Sequence, residues 1–255
     1  MTSIRVLSYN IHKGFNPSNS RFLLGEIRNA IRTVGAELVL LQEVIGENKK
    51  HGELFANWHP KAQFEFLADE IWPHFAYGKN AIYQHGHHGN AVLSKYPFSF
   101  WENINATRWS FSQRGILHGR ILGQIHVFCL HFGLFGVERR YQLDKLVATI
   151  HRCVPDHAAL IIAGDFNDWP GRLNRELEKV LGVREAFLAL QGKSARTFPA
   201  RLPLLRMDRI YFRGLKLQTG QVFSGHPWRR LSDHCALYAE FELPKALKAR
   251  AFFVA

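Results

Sequence analysis

The chain is 255 residues long, 47% hydrophobic and 21% charged, which excludes a disordered polypeptide and leaves one large α/β domain or two small ones around a sizeable core. Its formal net charge of +12 at pH 7, with 14 His counted as neutral, suits an anionic partner such as nucleic acid, anionic lipid or a phosphorylated metabolite, although a basic surface serving solubility alone carries the same number. No run reaches the roughly 18 apolar residues of a membrane span, and residues 1–6 lack the basic and apolar regions of a secretory signal, so a cytoplasmic setting is expected.

Residues 5–12 are β-branched and aromatic and turn at Lys13-Gly14, which reads as a strand ending in polar groups, Asn10 among them. Ser20 is placed to cap a helix through Val34, with Leu24, Ile27, Ala30 and Ile31 in one apolar stripe and Gly35 as its stop. Residues 37–41 form a buried strand that delivers Gln42 and Glu43 at its end. Residues 47–60 read as a polar loop and 62–71 as a helix. His85, His87 and His88 lack the i,i+4 spacing of a helical metal pair and read as part of a solvated loop before a strand over 91–94. Strands are predicted over 116–121 and 125–131, joined near Gly123, and a second amphipathic helix over 137–154, closed by Pro155. The apolar run 158–163 is a strand that delivers Asp165 and Asn167. Residues 209–212 and 215–222 are predicted to pair around Gly214, and 235–241 is the last strand.

Short strands with few long helices point to strands in two sheets with helices outside. Residues 1–244 are expected to form a single domain and 245–255, after Pro244, a basic peripheral tail. Cys129, Cys153 and Cys235 are an odd set without C-x-x-C spacing, which predicts free thiols, with Cys129 and Cys235 in the core, and neither a disulfide framework nor a zinc site.

The polar ends of these runs carry the chemistry. Asn10, Glu43, Asp165 with Asn167, Asp208 and Asp233-His234 assemble carboxylates, amides and an imidazole suited to metal-assisted attack of water on a phosphate ester. Glu43, a lone carboxylate after Leu38–Leu41, is the best first ligand for Mg²⁺, which takes oxygen donors; the same residue in isolation reads as a surface Glu. Asp165 and Asn167, two apart at a strand end, share one side, where one orients water and the other donates to a phosphate oxygen; the pair also fits an Asx turn. Asp233-His234 is expected on a turn, with Asp208 placed to fix the His234 tautomer and raise its pKa.

The set Asn10 in SYNIH, Glu43 in LLQEV, His131 in CLHFG, Asp165 and Asn167 in AGDFN, Asp208 in MDRIYF and Asp233-His234 in LSDH resembles the endonuclease/exonuclease/phosphatase superfamily, from about Arg5 to Phe241. That superfamily includes exonuclease III-like AP endonucleases, DNase I, neutral sphingomyelinases and inositol polyphosphate 5-phosphatases. GDFNDW and ARTFPARLPLLRMDRIY look most like a small bacterial branch of it. The resemblance implies a four-layer α/β sandwich, two packed mixed β-sheets flanked by helices, with the site at the sheets' shared rim. It implies that Glu43 binds Mg²⁺ (or Mn²⁺) with Asn10 and Asp233 beside it, and that Asp165 orients or deprotonates the water. Asn167 would then hold Asp165 or the phosphate, His234 paired with Asp208 would contact the scissile phosphate or move a proton, and His131 would stand near the phosphate.

His131 is a departure, because exonuclease III-type AP endonucleases carry a Tyr there. Trp228, Arg229 and Arg230 before the final Asp-His are placed to stack on a base or clamp a phosphate, or to be a packed loop; Arg108, Trp109, Arg114 and His118 offer another basic-aromatic rim. The expected protein is a monomeric Mg²⁺-dependent phosphodiesterase acting on a polyanion, nucleic acid slightly ahead of anionic phospholipid or a soluble phosphate ester. A non-catalytic binding module on the same fold is the remaining reading.

Overall fold

The computed structural model describes residues 3–244; the tail expected over 245–255 lies outside the described residues. The chain opens with β1 (Ser3–Asn10), α1 (Leu24–Val34), β2 (Leu38–Asn48), and the short helices α2 (Lys49–Leu54) and α3 (Gln63–Ala68). It continues through β3 (His74–Tyr83), β4 (Gly86–Ser94), β5 (Phe98–Asn105), β6 (Gly115–Ile121), β7 (Ile125–His131) and the long helix α4 (Gly136–Cys153). The remainder is β8 (Ala159–Asp165), α5 (Arg172–Leu181), β9 (Arg184–Glu185), α6 (Ala186–Gln191), β10 (Asp208–Arg213), β11 (Lys216–Phe223), α7 (Trp228–Leu231) and β12 (Ala236–Glu242). The strands form two six-stranded sheets, ordered β11-β12-β1-β2-β4-β3 and β5-β6-β7-β8-β10-β9. Each sheet is mixed: β1 with β2 and β7 with β8 run parallel, the other ladders antiparallel.

The two-residue period of a strand divides the apolar residues between layers. Ile4 and Val6 of β1, Leu38 and Leu40 of β2, Val127 and Cys129 of β7, Ile161 and Ala163 of β8 and Ile210 of β10 fill the central core between the sheets. The alternate residues face outward. Leu7, Tyr9, Val39 and Leu41 pack against Leu24, Ile27 and Ile31 of α1. Phe128, Leu130, Leu160 and Ile162 pack against Leu143, Leu146 and Ile150 of α4 and Leu173 and Leu177 of α5. The result is the four-layer α/β sandwich, helices outside two sheets. Burying each such Leu or Ile side chain stabilises the fold by about 1.5–3 kcal/mol.

Several boundaries differ from the sequence expectation, each for a local reason. The first helix begins at Leu24, not Ser20, because the Asn16 carboxamide oxygen accepts the Ser20 and Arg21 amides and folds 16–21 into a loop. Gly35 does end that helix, in the left-handed region at φ 66. The polar loop expected over 47–60 is in part strand and helix, since β2 runs on to Asn48 and α2 follows. Of the Gly/His segment, His85 is in the turn and 86–90 belong to β4, held on both sides by β2 and β3.

The predicted pairing of 209–212 with 215–222 does not occur. β10 lies between β8 and β9 in one sheet, and β11 joins β12 in the other. The chain changes sheet at Gly214, whose left-handed φ of 71 favours glycine, and a Cβ there would sit tightly, 3.2 Å from the Ala159 Cα. Cys129 and Cys235 are buried free thiols. Among the described residues no helix is long and apolar enough to cross a membrane.

Candidate functional site

The inward-facing rows of the central strands turn polar at one end of the sandwich. On β1 the row Ile4, Val6, Ser8 ends at Asn10; on β7 the row Val127, Cys129 ends at His131; on β8 the row Ile161, Ala163 ends at Asp165. β10 runs antiparallel to β8 and starts at the same rim, so Asp208 is the register partner of Asp165. His131 is likewise level with Asp165 across the parallel β7–β8 ladder. Gly164, before the Asp, has φ 148, and a Cβ there would lie 1.9 Å from the Leu130 carbonyl oxygen; glycine lets the two strands stay close where the Asp emerges.

Glu43 reaches this rim by another route. By strict alternation it would face outward with Val39 and Leu41. The β2–β4 register slips between Leu41 and Val44, and Glu43 takes a positive φ of 56 at that bulge. The bulge turns its carboxylate to the rim, where Asn10 Nδ2 stands 3.4 Å from Glu43 Oε1 and 3.2 Å from Asp165 Oδ2.

The rest of the cluster is closely knit. Asp165 Oδ1 accepts the Asn167 amide at 2.9 Å; its Oδ2 is 3.4 Å from His131 Nε2 and 3.7 Å from His234 Nε2. His234 Nδ1 bonds Asp208 Oδ2 at 2.8 Å. Ser232 Oγ donates to the Asn10 carbonyl and accepts the His234 amide, which fixes the turn before β12 to the end of β1. Asp233 lies on that turn, half-buried, with His12 Nδ1 3.8 Å away. The ligand atoms of Asp165, Asp208 and His234 lie within 4.8 Å of one another.

The charges follow from burial and neighbours. Burial opposes charging His234, but Asp208 and Asp165 outweigh it and raise its pKa to about 10, so the ring is an imidazolium at neutral pH. Burial, reinforced by Arg114, lowers His131 to about 4 and leaves that ring neutral. Burial raises Asp165 above the usual carboxylate range despite the two His. Glu43 is the opposite case: burial is outweighed by Lys13, His131 and His12, and it stays ionised far into acid.

The donor set fits a hard divalent cation. The buried Asp165 and the half-buried Glu43 share the single amide of Asn10, a third carboxylate lies on the adjoining turn, and a cation already stands at Glu43, since Lys13 Nζ is 3.1 Å from its Oε2 on a 39% exposed side chain free to move.

His131 and His88, the latter also lowered to about 4 by burial and then Lys13, are neutral when folded where the unfolded chain is protonated. The folded state then binds fewer protons between about pH 4 and 6.5, so stability is lost as pH falls through that window. The urea midpoint in metal-free buffer should drop across it, and His131→Asn should flatten the slope. An unchanged slope in the variant would place the effect elsewhere.

The structure thus brings together Asn10, Glu43, His131, Asp165, Asp208 and His234, with Asp233 on the adjoining turn. Asn167 departs from the expectation of a shared strand face: β8 ends at Asp165, and Asn167 has a left-handed backbone (φ 50) with its side-chain amide on the Phe132 carbonyl, 2.8 Å away. Its backbone N–H, in an Asx turn, is what holds Asp165. Arg114 is half-buried close enough to depress His131, and it lines an open cavity of about 280 Å³ with Lys79, Asn80, Ile82, Asn103 and Gln113.

Two expected substrate contacts are corrected. Trp228 is 5% exposed, stacked on Phe223 and edge-on to Tyr9, so both faces belong to the core. His118 is 1% exposed on the outer face of β6 under α4, bonded to His126, and does not reach the rim. Arg229 and Arg230 are exposed on α7, just before Ser232.

Lys13, His12 and His88 are site neighbours that strand patterning does not single out. Their only signal is position, His12-Lys13 following the first strand and His88 facing Ile45 beside the bulge.

The fold and this rim define a class. A family model described as the Endonuclease/Exonuclease/phosphatase family matches residues 7–234, and the chain belongs to that family. It is 44% identical over 246 residues to "Uncharacterized protein YbhP" of Escherichia coli (strain K12), covering 94% of this chain and 97% of the relative. Among solved structures, an endonuclease/exonuclease/phosphatase from Beutenbergia cavernae superposes with a TM-score of 0.75 at 17% identity, over 95% of this chain and 72% of that one. D. rerio TDP2 complexed with a single-strand DNA product gives a TM-score of 0.67 at 18% identity, over 95% of this chain and 100% of that one. At these identities the structural likeness establishes the fold.

Proposed function

We propose that the chain is a divalent-metal-dependent phosphodiesterase acting on nucleic acid. The observation that carries the reading is the Asp165–His234–Asp208 cluster at the rim, with one carboxylate of raised pKa beside one charged imidazole. Asp165, its basicity raised by burial, takes the proton of the attacking water, and the Asn167 amide and Asn10 fix its carboxylate for that task. His234, kept charged by Asp208, presents Nε2–H to a phosphoryl oxygen or to the leaving oxygen. His131, neutral, donates to the phosphate without repelling a nearby cation. Glu43, with Asn10 and Asp233 beside it, would hold Mg²⁺ or Mn²⁺, which supplies charge neutralisation at the phosphoryl and leaving oxygens.

Two surface features favour nucleic acid over lipid or a small ester. Phe111 (76% exposed), Phe135 and Trp169 (56% each) stand on the loops that follow the rim ends of the strands, placed to stack on splayed bases. Arg229 and Arg230 are exposed beside the Asp233-His234 turn as phosphate contacts. The D. rerio neighbour with a single-strand DNA product supports the same class of substrate.

The test is a Mg²⁺-supplemented panel of single-stranded DNA, anionic phospholipid vesicles and bis-p-nitrophenyl phosphate over a salt series. Each phosphate contact on a single strand contributes a slope of about −0.7 in log affinity against log salt. DNA should be the best substrate with a steep slope, and Arg229→Ala with Arg230→Ala should flatten it by one or two contacts. Salt-indifferent KM on the best substrate would end the polyanion reading, and vesicles outperforming DNA would replace nucleic acid by lipid.

A further inference from the structure

A second constellation lies away from the rim, on the outer face of the second sheet. Glu102 of β5 and His118 of β6 are direct register partners, and Cys153 is the last residue of α4 above them. His118 Nδ1 is 3.4 Å from Glu102 Oε1 and 3.8 Å from Cys153 Sγ, and the ligand atoms of the three all fall within 4.8 Å of one another. Tetrahedral zinc, with bonds of about 2.0–2.3 Å, holds its ligand atoms about 3.3–3.8 Å apart. The two sides of this triangle that meet at His118 Nδ1 therefore already have the right length.

The imidazole is held in place for such a role. Its ring stacks on Phe128 at 4.2 Å and 2°, with Phe100 edge-on at 5.5 Å. On its far side Nε2 is 3.0 Å from His126 Nδ1. His126 is itself buried, 4% exposed, beneath the same helix, with Nδ1 turned to His118 as an acceptor. A cation on Nδ1 requires the His118 proton on Nε2, where it donates to His126; this is the supporting hydrogen bond that metal-bound imidazoles characteristically make. The end of an 18-residue helix adds partial negative charge above the site. Arg152 lies 3.5 Å from Glu102 Oε1, but its side chain is 66% exposed and swings away at little cost.

We propose that Glu102, His118 and Cys153 form a site for a zinc-class divalent cation, separate from the rim cluster, which ties the end of α4 to β5 and β6. A thiolate–imidazole–carboxylate set selects Zn²⁺ over Mg²⁺, in contrast to the oxygen donors of the rim. On binding, the Cys153 S–H, which donates to the Thr149 carbonyl in the free protein, loses its proton to solvent and the sulfur bonds the metal. Glu102, 33% exposed, leaves the fourth position open to water. The wide separation of the three residues in sequence, with no C-x-x-C or His spacing, is why no motif announces them.

The test is Co²⁺ titration of the full chain, read by the near-ultraviolet thiolate-to-cobalt charge-transfer band, which a carboxylate site cannot produce. One equivalent should saturate the band, and Zn²⁺ should abolish it by displacement. Cys153→Ser should remove it with an unchanged far-ultraviolet circular dichroism spectrum, and Glu102→Gln should raise the Co²⁺ Kd at least tenfold. Asp165→Asn should leave it intact. Absence of the band with Co²⁺ in excess overturns the proposal, as does its persistence in Cys153→Ser, or an unchanged Kd in Glu102→Gln. Should Cys153→Ser fail to fold, the surface variant Glu102→Gln still decides the question.

Discussion

Asp165→Asn is expected to lower kcat by about 10²–10⁴-fold, the range associated with loss of a positioned general base, while leaving KM within a few-fold of the parent. The amide keeps the shape and, through its one oxygen, the contact to the Asn167 N–H, but its NH2 cannot accept from Asn10 and the group cannot take up a proton. The carboxylate lies 3.4 Å from His131 and 3.7 Å from His234, and burial has already raised its pKa toward the range where a base works best. A loss under tenfold on the best substrate would move the proton-accepting role to another group.

The second large effect joins Asp208 and His234. Asp208→Asn leaves a buried imidazole without its 2.8 Å carboxylate partner, and removing one member of a buried pair costs about 3–5 kcal/mol while the other stays charged. The ring escapes that cost by losing its proton, so the imidazolium on which the proposed contact depends disappears. His234→Ala removes the same contact directly. Because the two act as one unit, the double variant should be little worse than the worse single, and strictly additive losses would separate them.

The pH profile gives an independent reading. With the folded pKa raised to about 10 from an ordinary value near ~6.5, the pair's contribution to stability is fully present below about pH 6.5 and is lost as pH rises toward 10. The alkaline limb of kcat should follow the same group, and in Asp208→Asn it should move down toward neutral pH. A limb that stays put would assign it to another residue.

Much of this site is readable from strand periodicity. The alternation that sends Ile161 and Ala163 inward sends Asp165 inward too, and Asn10 and His131 terminate rows of the same kind. Asp208 and Asp233-His234 are legible as polar ends of apolar runs. Glu43 is legible as a residue but not in its direction, because a β-bulge with positive φ defeats the two-residue rule that would turn it outward. Lys13 reaches Glu43 only through a turn whose backbone conformation no pattern of apolar residues specifies.

The failures have a common cause. Trp228 and His118 are residue types at home on a nucleic-acid surface, and local sequence cannot tell that Phe223 and Tyr9 cover one while α4 covers the other. The β10–β11 hairpin is a similar case. Two strands around a Gly read as partners, yet each finds a better ladder in a different sheet, and that choice depends on contacts with β8 and β12 distant in the chain. Long-range packing, absent from any local window, decides all three.

Hydrolysis of bis-p-nitrophenyl phosphate, whose single diester makes few surface contacts, isolates the metal-dependent chemistry from substrate binding. The wild-type chain should lose activity in EDTA and regain it with Mg²⁺ or Mn²⁺. Glu43→Gln, which removes the charge that Lys13 now neutralises at 3.1 Å, should need far more metal and turn over at least 10²-fold more slowly. Full activity of the wild type in EDTA, or a Glu43→Gln variant with the parent's metal dependence and rate, would contradict the account.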